Sequence, residues 1–320
     1  MLTPCYFLRM FSICLMVLGA GMVFGQDYPT RPIRIVTFLP GGSADFVARL
    51  IADGISAPLG QPVVVENRPT VVSAGIVAQA APDGHTLYVA SGGFWMAPFL
   101  YDKLPWDPVK DFSPITLALM APNILVVHPS VPIKSVKDLI ALAKTRPGEL
   151  NYASGGIGSS SHLAAELLKS MTGINIVHIP YKGAGLAVNN LIGGQVQLGF
   201  PSSTSASPHV KSGRLKALAV TSDQPSALAP GLPTVAASGV PGYEAVSMTG
   251  TFTPAKTSKA IINRLNQEIV RVLNRADVKE KFFNTGAEIS TGSPEQFGVT
   301  IKSEMARMGK VIKDAGIKIN

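Results

Sequence analysis

Short β-branched runs alternate with segments of helical period from residue 33 onward, and the alternation comes in two blocks. In the first, Ile33 to Phe38 is an apolar run closed by a Pro-Gly-Gly turn. Phe46, Val47, Leu50, Ile51 and Leu59 then recur at helical spacing until Gly60 stops them. Val63 to Val65, an Ala-rich helix ending near Pro82-Asp83-Gly84, and the run Thr86 to Ala90 follow. Strands without polar alternation are buried on both faces. The order strand, helix, strand, helix, strand therefore predicts a parallel sheet with helices on each side, an α/β architecture.

In the second block Leu125 to Val127 leads to a helix opened by Ser135, with Asp138 as its capping-box partner, and closed by Arg146-Pro147-Gly148. Leu150 to Ala153 is a strand, 154–161 a Gly/Ser loop, and Leu163, Leu167, Leu168 and Met171 the face of a helix ending at Gly173. Strands are expected over 175–179, 196–200 and 215–221. The C-terminal region reads as two helices. Ile261, Leu265, Ile269 and Leu273 mark one, and Ser293-Pro294-Glu295-Gln296 caps the other, whose buried face runs Ile301, Met305, Met308, Ile312. Lacking strands of their own, these helices must pack on an existing sheet, most simply the first. That makes the first domain discontinuous, with two crossings between two doubly wound lobes.

With 46% of residues hydrophobic and 15% charged, the chain cannot remain disordered. Only the N-terminus approaches the length of apolar chain that a membrane span needs. Arg9 precedes an uncharged stretch from Met10 to Gln26, and Val23-Phe24-Gly25 offers a cleavage site, so residues 1–25 read as a secretory signal and the destination as the periplasm. Both cysteines, Cys5 and Cys14, lie in that segment, which leaves the mature chain no disulfide, thiol nucleophile or cysteine metal site. Loss of residues 1–25 removes Arg9 and lowers the formal net charge from +8 to +7. The C-terminal cations Lys302, Arg307, Lys310, Lys313 and Lys318 alternate with Glu304 and Asp314 as a solvated helix face. No basic patch with interleaved aromatics marks a nucleic-acid partner.

The sequence has no phosphate-binding Gly-x4-Gly-Lys-Ser/Thr, no His-Glu-x-x-His and no Gly-x-Ser-x-Gly elbow, so neither catalysis nor a cofactor or metal is expected. His85, His128, His178 and His209 are scattered singly and read as structural; His162 differs because of its loop. Ser160 and His162, two apart at a helix start, point in different directions and make a poor nucleophile and base.

Two loops stand in equivalent places. Leu39-Pro40-Gly41-Gly42-Ser43-Ala44-Asp45 follows the first strand of one block and opens a helix. Ser154-Gly155-Gly156-Ile157-Gly158-Ser159-Ser160-Ser161-His162 does the same in the other. A helix start presents unpaired N–H groups and a partial positive charge, and glycine lets a ligand approach the backbone. Two such starts facing across a cleft grip an anion, although either alone is equally an ordinary capped turn. Ser91-Gly92-Gly93-Phe94-Trp95 could line the same cleft, with Phe94 and Trp95 equally at home in the core. Tyr181-Lys182-Gly183 adds a helix start with a cation beside it, and Phe200-Pro201-Ser202-Ser203-Thr204 ends a strand in hydroxyls. Glu66 and Arg68 are as easily a structural ion pair.

Several motifs in order resemble one family. Tyr28-Pro29-x-Arg31-Pro32-Ile33-Arg34, Pro40-Gly41-Gly42-Ser43-x-Asp45, Leu59-Gly60-Gln61-Pro62 through Glu66-Asn67-Arg68-Pro69, and Pro82-Asp83-Gly84-x-Thr86-Leu87 are similar to the Bug family. These are the substrate-binding proteins of tripartite tricarboxylate transporters. Asp111-Phe112-x-Pro114-Ile115, Gly158-Ser159-Ser160-Ser161-His162-Leu163, Pro180-Tyr181-Lys182-Gly183 and Leu218-Ala219-Val220-Thr221-Ser222 extend the resemblance over the mature chain.

The resemblance implies a type II periplasmic-binding-protein fold, with lobe 1 formed by residues 26–122 and 249–320 and lobe 2 by 123–248. The loops matching Pro40 to Asp45 and Gly156 to His162 would form a pincer on one carboxylate, partly through water. With the weaker candidates read from the residues themselves, the expected ligand set is Pro40, Gly41, Gly42, Ser43, Asp45, Ser91, Gly156, Gly158, Ser159, Ser160, Ser161, His162, Tyr181, Lys182, Gly183, Phe200 and Ser202. The implied partners are a small organic acid or acidic amino acid and membrane permease subunits, or in a second reading a sensor kinase. The receptor itself is expected to be a monomer. Thr70-Val71-Val72-Ser73-Ala74 replaces a glycine-rich stretch of the family, which predicts an altered cleft wall. Met248 stands where Trp is common, and Thr253-Pro254-Ala255-Lys256-Thr257 replaces Ala-Pro-Ala-Gly-Thr, expected on the hinge side.

Overall fold

The computed structural model describes residues 28–38, 40 and 43–319. The expected signal segment, both cysteines, Gly41 and Gly42 lie outside the described residues.

The first block forms β1 (Ile33–Thr37), α1 (Ser43–Leu59), β2 (Val63–Asn67), α2 (Thr70–Ala78), β3 (Thr86–Ser91) and α3 (Gly93–Leu100), and leads into the long strand β4 (Phe112–Pro122). The second forms β5 (Ile124–Val127), α4 (Val136–Thr145), β6 (Asn151–Ser154), α5 (Ser160–Thr172), β7 (Val177–Pro180), α6 (Ala184–Ile192), β8 (Leu198–Gly199), α7 (Ser203–Lys211) and β9 (Lys216–Val220). The chain closes with β10 (Val246–Pro254), α8 (Lys259–Leu273), α9 (Ala276–Asn284), β11 (Glu288–Ile289) and α10 (Pro294–Asp314).

The strands build two sheets, ordered β11-β4-β10-β3-β1-β2 and β7-β6-β8-β5-β9. Both are mixed, which corrects the expectation of parallel sheets. β1 runs parallel to β2 and β3, and β6 parallel to β7 and β8. β10 lies antiparallel to β3 and β4, and β5 antiparallel to β8 and β9. The cause is the pair of crossings. β4 passes through Asn123 directly into β5, and the chain after β9 returns as β10. A strand that enters a sheet from the other sheet starts at the junction and must run against the strands that end there.

The C-terminal region also departs from the two-helix expectation, since it holds α8, α9, α10 and the short β11. Val278 and Phe282 give α9 a narrow buried face that is too short to stand out by period. α8 packs on α1 and β4, and α10 on β4 and α3, as expected for helices borrowed by the first sheet. α10 additionally touches α5 of the second block.

The apolar faces explain the layers. Val47, Ile51 and Ile55 of α1 meet Leu265 and Ile269 of α8 over one face of the first sheet, all fully buried. Each such side chain contributes about 1.5–3 kcal/mol by leaving water. On the opposite face Tyr88, Phe94, Trp95, Phe252 and Phe297 interlock edge to face or tilted, with centroids about 5 to 6.5 Å apart. The Ser293 box forms as expected, Gln296 N–H donating to Ser293 Oγ at 3.2 Å and Ser293 N–H to Gln296 Oε1 at 2.8 Å. At Ser135 the cap forms as well, Asp138 N–H donating to Ser135 Oγ at 3.1 Å, and the Asp138 carboxylate also accepts from Lys134 N–H at 3.0 Å.

Candidate functional site

The strands that run toward the junction end in helix starts. β1 is followed by α1, β3 by α3, β6 by α5 and β8 by α7. Residues at all four starts, Ser43, Gly93, Ser160 and Ser202, line a cleft between the two sheets. Ligands of open α/β sheets bind at such carboxyl ends, where helix N–H groups remain unpaired.

The cleft has two compartments. One, of about 270 Å³, is bounded by Phe38, Ser91, Gly92, Trp95, Gly158, Ser159, Leu163, Met248, Glu304 and Met308. The other, of about 460 Å³, is bounded by Ser43, Asp45, Phe46, Arg49, Asn123, Ser202, Phe282 and Thr285 to Ala287. Ser160 and Ser247 line both, so the compartments meet between the start of α5 and the start of β10. The floor is the pair of crossing strands, with Leu119, Ala121 and Asn123 on one side and Ala245 to Met248 on the other.

On the first-sheet side, Thr249 Oγ1 sits 3.1 Å from Ser91 Oγ and 3.4 Å from Ser43 Oγ, joining the hydroxyl at the end of β3 to the one at the start of α1 through one buried threonine. Asp45, in the first turn of α1, is buried. Its Oδ1 accepts from Arg49 Nε at 3.1 Å and Asn67 Nδ2 at 2.8 Å. Asn67 Nδ2 also donates to the Phe38 carbonyl, so Asp45 acts through Asn67 to hold the loop after β1.

On the second-sheet side, the 154–162 loop is held by its own side chains. Ser159 caps α5 and donates to the Gly156 carbonyl at 2.7 Å, and Gly155 N–H donates to Ser161 Oγ at 3.1 Å. Gly156 (φ 128°) and Gly158 (φ 76°) need the left-handed half of backbone space that glycine tolerates. Gly158 N–H donates to His162 Nδ1 at 3.0 Å, and His162 is buried and stacked on His178. Burial, then the neighbouring His178, pushes the His162 imidazole down to about 4; burial lowers His178 as well. His178 Nε2 lies 2.6 Å from Ser154 Oγ. Glu304, at the edge of the smaller compartment, is raised by burial against the pull of Arg307, its partner.

The sequence between Val47 and Ile317 matches the model of the tripartite tricarboxylate transporter family receptor. The chain belongs to that receptor family. BugT of Bordetella pertussis is 37% identical over 306 residues, with 94% of each chain covered. A protein encoded in the tcbD-tcbE intergenic region of Pseudomonas sp. strain P51 is 36% identical, covering 92% of this chain and 89% of the other. Among solved structures, an R. palustris protein with adipate superposes with a TM-score of 0.75 at 36% identity, over 92% of this chain and all of that one. MatC of Rhodopseudomonas palustris with bound malate superposes at 0.72 and 31% identity, over 89% of this chain and 100% of that one. The receptor therefore has the α/β solute-binding fold of the Bug type that its motifs resembled.

Of the residues singled out in the sequence, Ser43, Asp45, Ser91, Gly158, Ser159, Ser160 and Ser202 line the cleft of this receptor. Pro40 is exposed and lines neither compartment. Gly156, Ser161 and His162 support the loop from behind. Tyr181 N–H donates to Ser154 O, while Lys182 and Gly183 are exposed and line neither compartment. Phe200 is a correction: it is fully buried in the core and only Ser202, two residues on, reaches the cleft. Phe94 is likewise core, whereas Trp95 lines the smaller compartment. Glu66 and Arg68 are an ion pair at 2.8 Å.

Two further expectations are corrected. The stretch replacing the glycine-rich motif is the start of helix α2, with Ser73 Oγ 3.0 Å from Tyr88 Oη. None of its described residues lines the cleft. Pro254 pairs with Phe112 at the far end of β10, so the segment from Thr253 to Thr257 is remote from the crossings. Asn123, Ser247, Arg49 and Thr285 to Ala287 line the cleft without having been foreseen. Only Asn123 carried a signal, a lone amide after Pro122 at the head of an apolar run.

Proposed function

We propose that this receptor is exported to the periplasm, captures a small carboxylate in the cleft and delivers it to membrane permease subunits of a tripartite tricarboxylate transporter. The lobes would comprise residues 26–122 with 249–320, and residues 123–248. The carrying observation is the meeting of the four helix starts at one cleft, two of them facing from each sheet. Their N–H groups and the hydroxyls of Ser43, Ser91, Ser160 and Ser202 offer an anion neutral donors at the positive ends of helix dipoles. Neutral donors suit a receptor that must release its cargo, because a deeply buried ion pair is hard to reopen. Structures of relatives with adipate and with malate support carboxylates as the ligand class. Closure of the lobes over the acid would hide it and form a composite face for the permease. Binding, rather than turnover, is the whole of the proposed role.

A thermal-shift series over malate, adipate, tricarboxylates, acidic amino acids and aromatic acids tests the proposal, since a ligand that binds only the folded state raises the unfolding temperature. At least one acid raises it in the unaltered protein, and Ser43→Ala and Ser160→Ala diminish the rise. A flat response to every acid overturns the reading.

A further inference from the structure

Asn123 stands where the chain leaves β4 for β5, lines the larger compartment and is only 2% exposed. Its backbone is fully engaged. The N–H donates to Thr221 Oγ1 at 2.8 Å, and the carbonyl accepts from Thr221 Oγ1 at 3.1 Å and Thr221 N–H at 3.0 Å. The side-chain Nδ2, by contrast, has no hydrogen-bond partner among the described residues. A buried amide N–H without an acceptor carries a desolvation cost that an apolar side chain of the same shape avoids, so it marks a position where an acceptor is supplied from elsewhere. The neighbouring hydroxyls of Ser160 and Ser247 can serve as donor or acceptor, and Ser202 Oγ already donates to Ser205 Oγ, whereas the carboxamide N–H can only donate.

We propose that Asn123 reads the far end of the ligand. With one carboxylate at the helix starts around Ser160, the Asn123 carboxamide donates to an oxygen at the other end. The receptor thereby selects α,ω-dicarboxylates over monocarboxylates of equal length. This rests on the carboxylate reading above and adds to it a residue and a ligand class.

Calorimetric titration of the whole exported chain with α,ω-dicarboxylates, each paired with the monocarboxylate of the same length, tests it. The unaltered protein is expected to favour the best diacid by about tenfold or more, the effect of one well-placed hydrogen bond to a charged group. Asn123→Leu loses that preference by weakening the diacid alone, and unfolds at the same or a higher temperature because the orphaned amide is gone. Asn123→Asp, which keeps the shape, repels the far carboxylate and loses the diacid while retaining the monoacid; it decides the matter if the leucine variant does not fold. A diacid preference that survives in a folded variant overturns the role of Asn123 and leaves the carboxylate reading standing. An unaltered protein that binds neither kind of acid sinks both.

Discussion

The imidazoles of His162 and His178 lie face to face, their centroids 3.9 Å apart and their planes 9° from parallel. The stack continues to Tyr152, 4.8 Å from His178, whose hydroxyl donates to Glu166 at 2.6 Å, and Glu166 also accepts from Lys169 at 2.7 Å. The stack props the 154–162 loop, because His162 Nδ1 accepts the Gly158 N–H and can do so only while unprotonated.

A pH dependence follows from that bond. The unfolded imidazole titrates near 6.5 and the folded one is pushed down to about 4, so the unfolded chain binds more protons between those values. Stability is complete above about pH 6.5 and declines as pH falls toward about 4, by up to about 3 kcal/mol from this one group. His178, lowered in the same direction, adds to the slope. Calorimetric unfolding across this range is expected to show the decline, and His162→Gln to flatten it. An equal slope in the variant would remove His162 from the account.

Ser160 is the hydroxyl shared by both compartments. Ser160→Ala is expected to weaken carboxylate binding by about tenfold or more, the value of one hydrogen bond to a charged group, with little change in stability because Ser159 keeps the cap. Titration calorimetry beside a melting curve separates the two effects.

Trp95 and Trp106 are the only tryptophans of the chain, and they sit differently. Trp106 Nε1 donates to Val71 O at 3.1 Å, whereas Trp95 lines the smaller compartment with its Nε1 unpaired among the described residues. Ligand is therefore expected to shift the emission of Trp106→Phe as it does that of the unaltered protein, and to leave Trp95→Phe unchanged in a fluorescence titration.

Lys256 holds φ 69°, left-handed space that costs a non-glycine residue roughly 1 kcal/mol. It is the position at which the family motif has glycine. Lys256→Gly is expected to recover that amount and raise the melting temperature by about 2 °C, with ligand affinity unchanged because the turn is remote from the cleft.

The two-block α/β order and the paired loops were legible because hydrophobic period and Gly/Ser turns are local signals, and Ser43, Ser160 and Ser202 stand at helix starts that such signals locate. The strand directions were not, since the reversal of β5 and β10 arises from crossings between sheets. Phe200 was misplaced because a strand-end residue reads the same whether it faces core or cleft. Arg49, Ser247 and the segment from Thr285 to Ala287 come from places far apart in the chain, joined only by the way α1, β10 and α9 converge, and no spacing in the sequence announces that.

The most direct test is an isothermal titration of the purified protein with malate, adipate and the wider set of acids. The account predicts saturable binding of at least one acid at one ligand per chain, weakened in Ser43→Ala and Ser160→Ala alike, because both helix starts hold the same anion. Binding that is indifferent to both substitutions, or no heat with any acid, would contradict it.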